Sequence, residues 1–233
     1  MHTLMVADDH PLFREAIGAV ITAGLPDCRL LEAESLAQAL ERAERHTEVD
    51  LVLLDLGLPD ASGLEGLRAL REAHPALPVA ILSADQERRT VLEAIELGAV
   101  GYIPKSTPRR ALQGALIRLL EGQLYLPAEI MRHPPAAPSS PCPSPSAEGV
   151  PQDAQRRRLA ELTDKQLEVL IRLSRGAPNK VIARELEIAE TTVKTHVSAI
   201  LRKLGVSGRV QAILAANDAD LEALLAERRL PSA

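Results

Sequence analysis

The sequence predicts an α/β fold, a doubly wound parallel five-stranded sheet, joined to a separate all-α domain. Three observations carry this. Four short apolar runs in the first half each end on a reactive or charged residue: LMVA on Asp8 and Asp9, LVLL on Asp55, VAIL on Ser83 and VGYIP on Lys105. Apolar runs of that length between helical patterns read as buried parallel strands. A Pro/Ser-rich stretch, HPPAAPSSPCPSPSAEG over residues 133–149, then interrupts all periodicity, and the pattern beyond it is helical.

The elements follow in order. Strands are expected at Thr3–Ala7, Arg29–Ala33, Leu51–Leu54, Val79–Leu82 and Gly101–Ile103, alternating with helices over Pro11–Ala23, Ser35–Arg45, Gly63–Ala73, Gln86–Leu97 and Pro108–Glu121. Ser35 precedes an apolar stripe as an N-cap, and Thr107-Pro108 offers an N-cap with proline at the first helical position. Gly98 stops its helix because glycine accepts the left-handed conformation there. Five β-α units with right-handed crossovers wind into one sheet, and the flavodoxin-like order 2-1-3-4-5 puts Asp55 at its centre. The α/β unit is expected over residues 1–123 and a Pro/Ser-rich linker, with room for a short helix at its start, over 124–155. The helical domain follows over 156–219, with a C-terminal helical tail over 220–233.

Composition narrows the function. Aromatics make up 1% of the chain and tryptophan is absent, so nucleic-acid binding cannot rest on base-stacking platforms. No stretch approaches the roughly 18 apolar residues of a membrane span, and no secretory signal opens the chain, so no membrane association and a cytoplasmic location are expected. Cys28 and Cys142 make neither a disulfide framework nor a metal-ligand pattern. Through Tyr125 the net charge is −7, whereas from Arg156 onward it is +4, which points to nucleic-acid binding by the second half only.

Ligands of open parallel sheets bind beyond the carboxyl ends of the strands. Asp8, Asp9 and Asp55 converging there would repel one another without a cation, and Mg2+ suits them because it takes oxygen ligands together with waters and a phosphate oxygen. A carboxylate at Asp55 can then act as a nucleophile toward phosphorus, with Ser83 and Lys105 placed to hold the phosphoryl oxygens.

Asp8-Asp9-His10, the run Asp55-Leu56-Gly57-Leu58-Pro59-Asp60-Ala61-Ser62-Gly63, the Leu82-Ser83-Ala84 step and Gly98-Ala99-Val100-Gly101-Tyr102-Ile103-Pro104-Lys105 together resemble the receiver domain of bacterial response regulators. The resemblance implies that Asp55 accepts a phosphoryl group from a histidine kinase. It also implies that Asp8, Asp9, Asp55 and the carbonyl of Gly57 bind Mg2+, that Ser83 and Lys105 bind the phosphoryl group, and that Tyr102 changes rotamer on activation. His10 is expected to start a helix rather than to bind metal. Aspartyl-phosphate phosphatases also carry a nucleophilic Asp after a buried strand, but pair it with a second Asp two residues on. Gly57 stands in that place, so no enzyme activity is expected.

After Arg156, Thr163 and Gln166 form a capping box ahead of LEVLIRL. Gly176-Ala177-Pro178 ends that helix, Asn179 is expected to cap Lys180–Leu186, and a helix over Glu190–Leu204 closes at Gly205. On a helical wheel Val193, Val197, Ile200, Leu201 and Leu204 share one face, opposite Thr191, Lys194, Thr195, Ser198 and Arg202. The stretch LTDKQLEVLIRLSRGAPNKVIARELEIAETTVKTHVSAILRKLGV closely resembles the LuxR-type helix-turn-helix of the NarL/FixJ regulators. By that resemblance Lys194, Thr195 and Ser198 meet base edges, and Lys180, Arg184, Thr192, Arg202 and Lys203 meet phosphates. The implied partners are double-stranded promoter DNA bound as a homodimer, and RNA polymerase. Ala189 departs from the Ser or Thr common at the start of the recognition helix, which removes a cap worth about 1 kcal/mol. The alternative within the same resemblance is a phosphorylation-independent regulator whose receiver serves as a docking module; every phosphorylation-site position is nonetheless present.

Overall fold

A computed structural model describes residues 2–127, 157–217, 221, 224 and 225. Most of the expected linker, Cys142 and most of the C-terminal tail lie outside the described residues. Strands β1 (His2–Ala7), β2 (Cys28–Ala33), β3 (Leu51–Asp55), β4 (Val79–Ser83) and β5 (Gly101–Pro104) alternate with helices α1 (Pro11–Gly24), α2 (Leu36–Arg45), α3 (Glu65–Ala73), α4 (Arg88–Glu96) and α5 (Arg109–Leu120). All pairings are parallel, and the order is β2-β1-β3-β4-β5, as the sequence predicted.

Side chains alternate across a strand, so each central strand feeds two cores. Met5, Val52, Leu54, Val79 and Ile81 pack against Ala39, Leu67, Leu70 and Val91 from α2, α3 and α4. Leu4, Val6, Leu51, Leu53 and Leu82 pack against Ile17, Ile21, Leu112 and Leu116 from α1 and α5. Burial on both faces is why these strands read as continuous apolar runs.

The C-terminal part holds α6 (Asp164–Ser174), α7 (Asn179–Leu186), α8 (Glu190–Leu204) and α9 (Arg209–Asn217). Its core includes Leu167, Leu170, Ile182 and Ala212 together with Val193, Val197, Ile200, Leu201 and Leu204, the face expected from the wheel. The Thr163–Gln166 capping box forms with both bonds present, and Gly205 adopts the left-handed conformation after α8.

Two helix starts are capped by other residues than expected. Pro108 occupies the cap position of α5, whose first helical residue is Arg109, so Thr107 does not cap it. Pro178 likewise stands before α7, and Asn179 lies inside the helix with its Oδ1 buried and, among the described residues, unpartnered. In both places proline fixes the extended backbone that a cap residue needs, and the neighbouring polar side chain is not used.

Candidate phosphorylation site and DNA-reading face

The carboxyl ends of β1, β3, β4 and β5 bring together the side chains that the sequence singled out. Asp55 is the last residue of β3, Asp8 follows β1, Ser83 ends β4 and Lys105 follows β5. Asp8 and Asp55 are buried, and Asp9 is exposed. Lys105 Nζ lies 2.8 Å from Asp8 Oδ2 and 2.7 Å from Asp55 Oδ2. Burial draws the Lys105 pKa down, but the hydrogen bonds and charges of Asp55 and Asp8 outweigh it and the net shift is upward. The amine is therefore a cation at any physiological pH.

The group fits a hard cation. Ligand atoms of Asp8, Asp9, His10 and Asp55 all lie within 4.8 Å of one another. Asp8 Oδ2 is buried and, apart from the Lys105 ion pair, accepts no well-directed hydrogen bond from the described residues. A Cβ at Gly57 would stand 3.3 Å from Asp55 Oδ2, so glycine keeps that approach open. His10 takes the cap position before α1, as expected for a helix start, and its Nδ1 also lies 2.6 Å from Asp9 Oδ1.

Ser83 Oγ accepts from Asp85 N at 3.1 Å. Tyr102, expected to change rotamer on activation, is fully buried, and its hydroxyl donates to the Asp85 carbonyl at 2.8 Å. The ring packs in the core that β4 shares with α3 and α4, among residues that include Ile81, Val91 and Ala94. Asp85, directly after Ser83-Ala84, carries no periodic signal of this role in the sequence. Its carboxylate also accepts from Glu87 N at 2.7 Å and Thr90 Oγ1 at 2.9 Å, which anchors the start of α4. Arg14 was also missed: it is buried and donates to the Asp8 carbonyl at 2.7 Å, to Glu32 at 3.0 Å and to Glu34 at 2.6 Å.

The polar face of α8 is turned toward the α/β unit. Lys194 Nζ donates to the carbonyls of Thr47 and Val49, and lies 3.7 Å from Glu190. Thr191, Lys194, Thr195 and Ser198 line one wall of a cleft of about 290 Å3, with His46, His74 and Pro75 opposite. Burial lowers the Lys194 pKa against the pull of Glu190 and Asp50, and burial followed by the charge of Asp50 raises that of Glu190. Lys180 Nζ lies 3.6 Å from Asp50. Arg71, whose pKa burial lowers to about 10, donates through Nε and Nη2 to the Ser207 carbonyl at 3.2 and 2.7 Å. Gln211 Nε2 donates to the Glu96 carbonyl at 2.7 Å. Arg184, Thr192 and Arg202 are exposed. Lys203, expected at a phosphate, instead donates to the Glu161 carbonyl at 2.8 Å and Gln166 Oε1 at 2.9 Å, tying the end of α8 to the capping box of α6.

Known proteins match along both parts. Residues 4–117 match the response regulator receiver domain, and residues 160–216 match the bacterial regulatory proteins of the luxR family. A glycerol metabolism activator of Pseudomonas putida is 48% identical over 225 residues, 97% of this chain and 99% of that protein. The nitrate/nitrite response regulator protein NarL of Escherichia coli K12 is 33% identical over 211 residues, 90% of this chain and 92% of that one. Among solved structures, a LuxR-family two-component response regulator from Aurantimonas sp. SI85-9A1 has a TM-score of 0.51 at 32% identity, covering 55% of this chain and 91% of its own. No helix among the described residues is long and apolar enough to cross a membrane.

Proposed function

Because the chain belongs to the LuxR-type response regulators, which are DNA-binding transcription regulators of two-component systems, we propose that Asp55 accepts a phosphoryl group from a histidine kinase and that this controls access of α8 to promoter DNA. The observation that carries the reading is the Lys105 ammonium set 2.7 Å from Asp55 and 2.8 Å from Asp8 at the sheet rim. Asp8, Asp9 and Asp55 with the Gly57 carbonyl would hold Mg2+, which when bound neutralises charge building on the transferring group. The Asp55 carboxylate attacks phosphorus, the bond from phosphorus to the donor's imidazole nitrogen breaks, and its electron pair leaves with that nitrogen. Lys105 then pairs with one phosphoryl oxygen and the Ser83 hydroxyl donates to another.

Ser83 and Tyr102 both bond to Asp85, so a pull on Ser83 reaches the start of α4. The carbonyl of Glu96 at the other end of α4 holds Gln211. We read the arrangement described here as the inhibited state, with Lys194 occupied by receiver carbonyls instead of bases. Release frees Lys194, Thr195 and Ser198 for base edges, and Lys180, Arg184, Thr192 and Arg202 for phosphates. Lys203 serves the fold of its own domain first. Two freed domains, as a homodimer, fit half-sites about 34–36 Å apart. RNA polymerase at the promoter is the further partner, and the location is cytoplasmic. The protein acts as a regulator rather than as an enzyme.

Incubation with acetyl phosphate and Mg2+, followed by intact-mass measurement, should add one phosphoryl group to the wild type and none to Asp55→Asn. Phosphorylated wild type should then bind its operator more tightly than the unmodified protein. Phosphorylation of Asp55→Asn would end the assignment.

A further inference from the structure

The chain has three aromatic residues, one phenylalanine and two tyrosines, and two of the three stand at the acidic rim. Tyr102 bonds to Asp85. Phe13, in the first turn of α1, has no part in the chemistry described so far. It is half-buried, with its ring packed against the core between the sheet and helices α1 and α5. Lys105 Nζ lies 4.8 Å from the centre of that ring. An ammonium within about 6 Å of a ring face is drawn to it by the ring quadrupole. The Lys105 side chain is only 17% exposed, so water competes weakly for the cation. Arg14 fixes where α1 presents the ring, because its guanidinium joins the Asp8 carbonyl to Glu32 and Glu34.

Among the described residues the ammonium is also paired with the carboxylates of Asp8 and Asp55. Both are groups that a metal ion or a phosphoryl group would engage. The ring is the neighbour that neither would claim, so it stays constant while the charges around Lys105 are redistributed.

We propose that Phe13 is a positioning residue for Lys105, its ring face holding the ammonium at the rim while Asp55 passes from carboxylate to acyl phosphate. The inference rests on Asp55 as the acceptor. An aliphatic side chain at residue 13 would fill the same space but would leave the ammonium to follow the carboxylates alone.

Full-length wild type, Phe13→Leu and Phe13→Tyr test this in two ways. In metal-free, unphosphorylated protein with 13C-labelled lysine, one ε-methylene resonance should be shifted upfield by the ring current, with Lys105→Arg identifying it. That shift should vanish in Phe13→Leu and persist in Phe13→Tyr. With acetyl phosphate and Mg2+, the maximal phosphorylation rate of Phe13→Leu should fall about 3–10-fold, with the half-saturating donor concentration unchanged, and Phe13→Tyr should restore it. Absence of the upfield resonance in wild type, a wild-type rate for Phe13→Leu, or failure of tyrosine to restore the rate would each overturn the proposal. The resonance arm needs no substituted residue 13, so poor folding of Phe13→Leu would not remove the test. A wild type that takes up no phosphoryl group would sink the acceptor assignment and this inference with it; a phosphorylated wild type matched by Phe13→Leu would sink this inference alone.

Discussion

Asp60 follows Asp55 in the same loop and spends its carboxylate on a helix from a different β-α unit. Oδ1 accepts from Leu36 N at 2.7 Å and Oδ2 from Ala37 N at 2.9 Å, while Ser35 Oγ takes Gln38 N at 3.2 Å. The orphan N–H groups at the start of α2 are thereby satisfied. The Ala37 N–H above all, opposed by desolvation and aided by the Leu36 N–H, holds the Asp60 carboxyl below the usual carboxylate range. A depressed carboxyl contributes stability above its unfolded pKa of about 3.9, and the contribution is lost as pH falls through the folded value. Loss of this capping carboxylate in Asp60→Ala should cost about 0.5–1 kcal/mol near neutrality, at the low end of cap values because solvent screens the exposed group. In denaturant titrations at a series of pH values its deficit against wild type should close on acidification below about pH 4; a deficit that persisted there would assign the loss to packing rather than charge. Asp8, Asp9, Asp55, Ser83 and Lys105 were legible in the sequence because each terminates a strand pattern, and sheet geometry gathers strand ends at one rim. Asp60, Asp85, Arg14 and Phe13 were not. Their partners are backbone groups or a side chain on other elements, and nothing in local periodicity encodes how one element leans on another.

Among the helices, starts and stops were legible wherever a side chain or glycine signals them locally, as at Ser35, Thr163 with Gln166, Gly98 and Gly205. They were misjudged where proline had already set the backbone, at Thr107 and Asn179. The turn between α7 and α8 carries two weak points of its own. Glu187 sits at φ 53° and ψ 41°, the left-handed region, and among the described residues it is the only non-glycine with positive φ. That conformation costs an L-residue about 1–2 kcal/mol, whereas glycine loses about 0.5–1 kcal/mol through its freer unfolded chain. Glu187→Gly should stabilise the C-terminal domain by about 0.5–1 kcal/mol. Ala189, two residues on, caps α8 with no side-chain hydrogen bond, and Ala189→Ser should add about 1 kcal/mol. Thermal unfolding of each variant measures both gains. A lower melting temperature for Ala189→Ser would mean that the new hydroxyl fails to reach the helix start.

At the scale of the whole molecule, backbone meets backbone where the two parts touch. A Cβ at Gly208 would lie 2.6 Å from Gly98 Cα, and one at Gly122 would lie 2.5 Å from the Gly176 carbonyl. No side chain can relieve either approach. Gly98 and Gly122 need glycine for their own positive φ as well, but Gly208 does not adopt positive φ. Alanine there is compatible with its own backbone and objects only to the closed arrangement. Gly208→Ala should therefore act as a wedge, driving Gly98 and Ser207 apart and straining the Arg71 and Gln211 bonds beside them. Lys194 then leaves the Thr47 and Val49 carbonyls. Coupling between sites is typically about 1–3 kcal/mol, or roughly 5–150-fold in affinity. The unphosphorylated variant should bind an operator duplex at least about 5-fold more tightly than unphosphorylated wild type, while its uptake of a phosphoryl group at Asp55 stays normal. Phosphorylation should then add less to its affinity than it adds to that of wild type, because part of the opening is already done. Small-angle scattering gives an independent check, since the wedge should raise the radius of gyration without phosphodonor. Operator affinity and dimensions equal to those of unphosphorylated wild type would mean that the glycine contact does not hold the two parts closed.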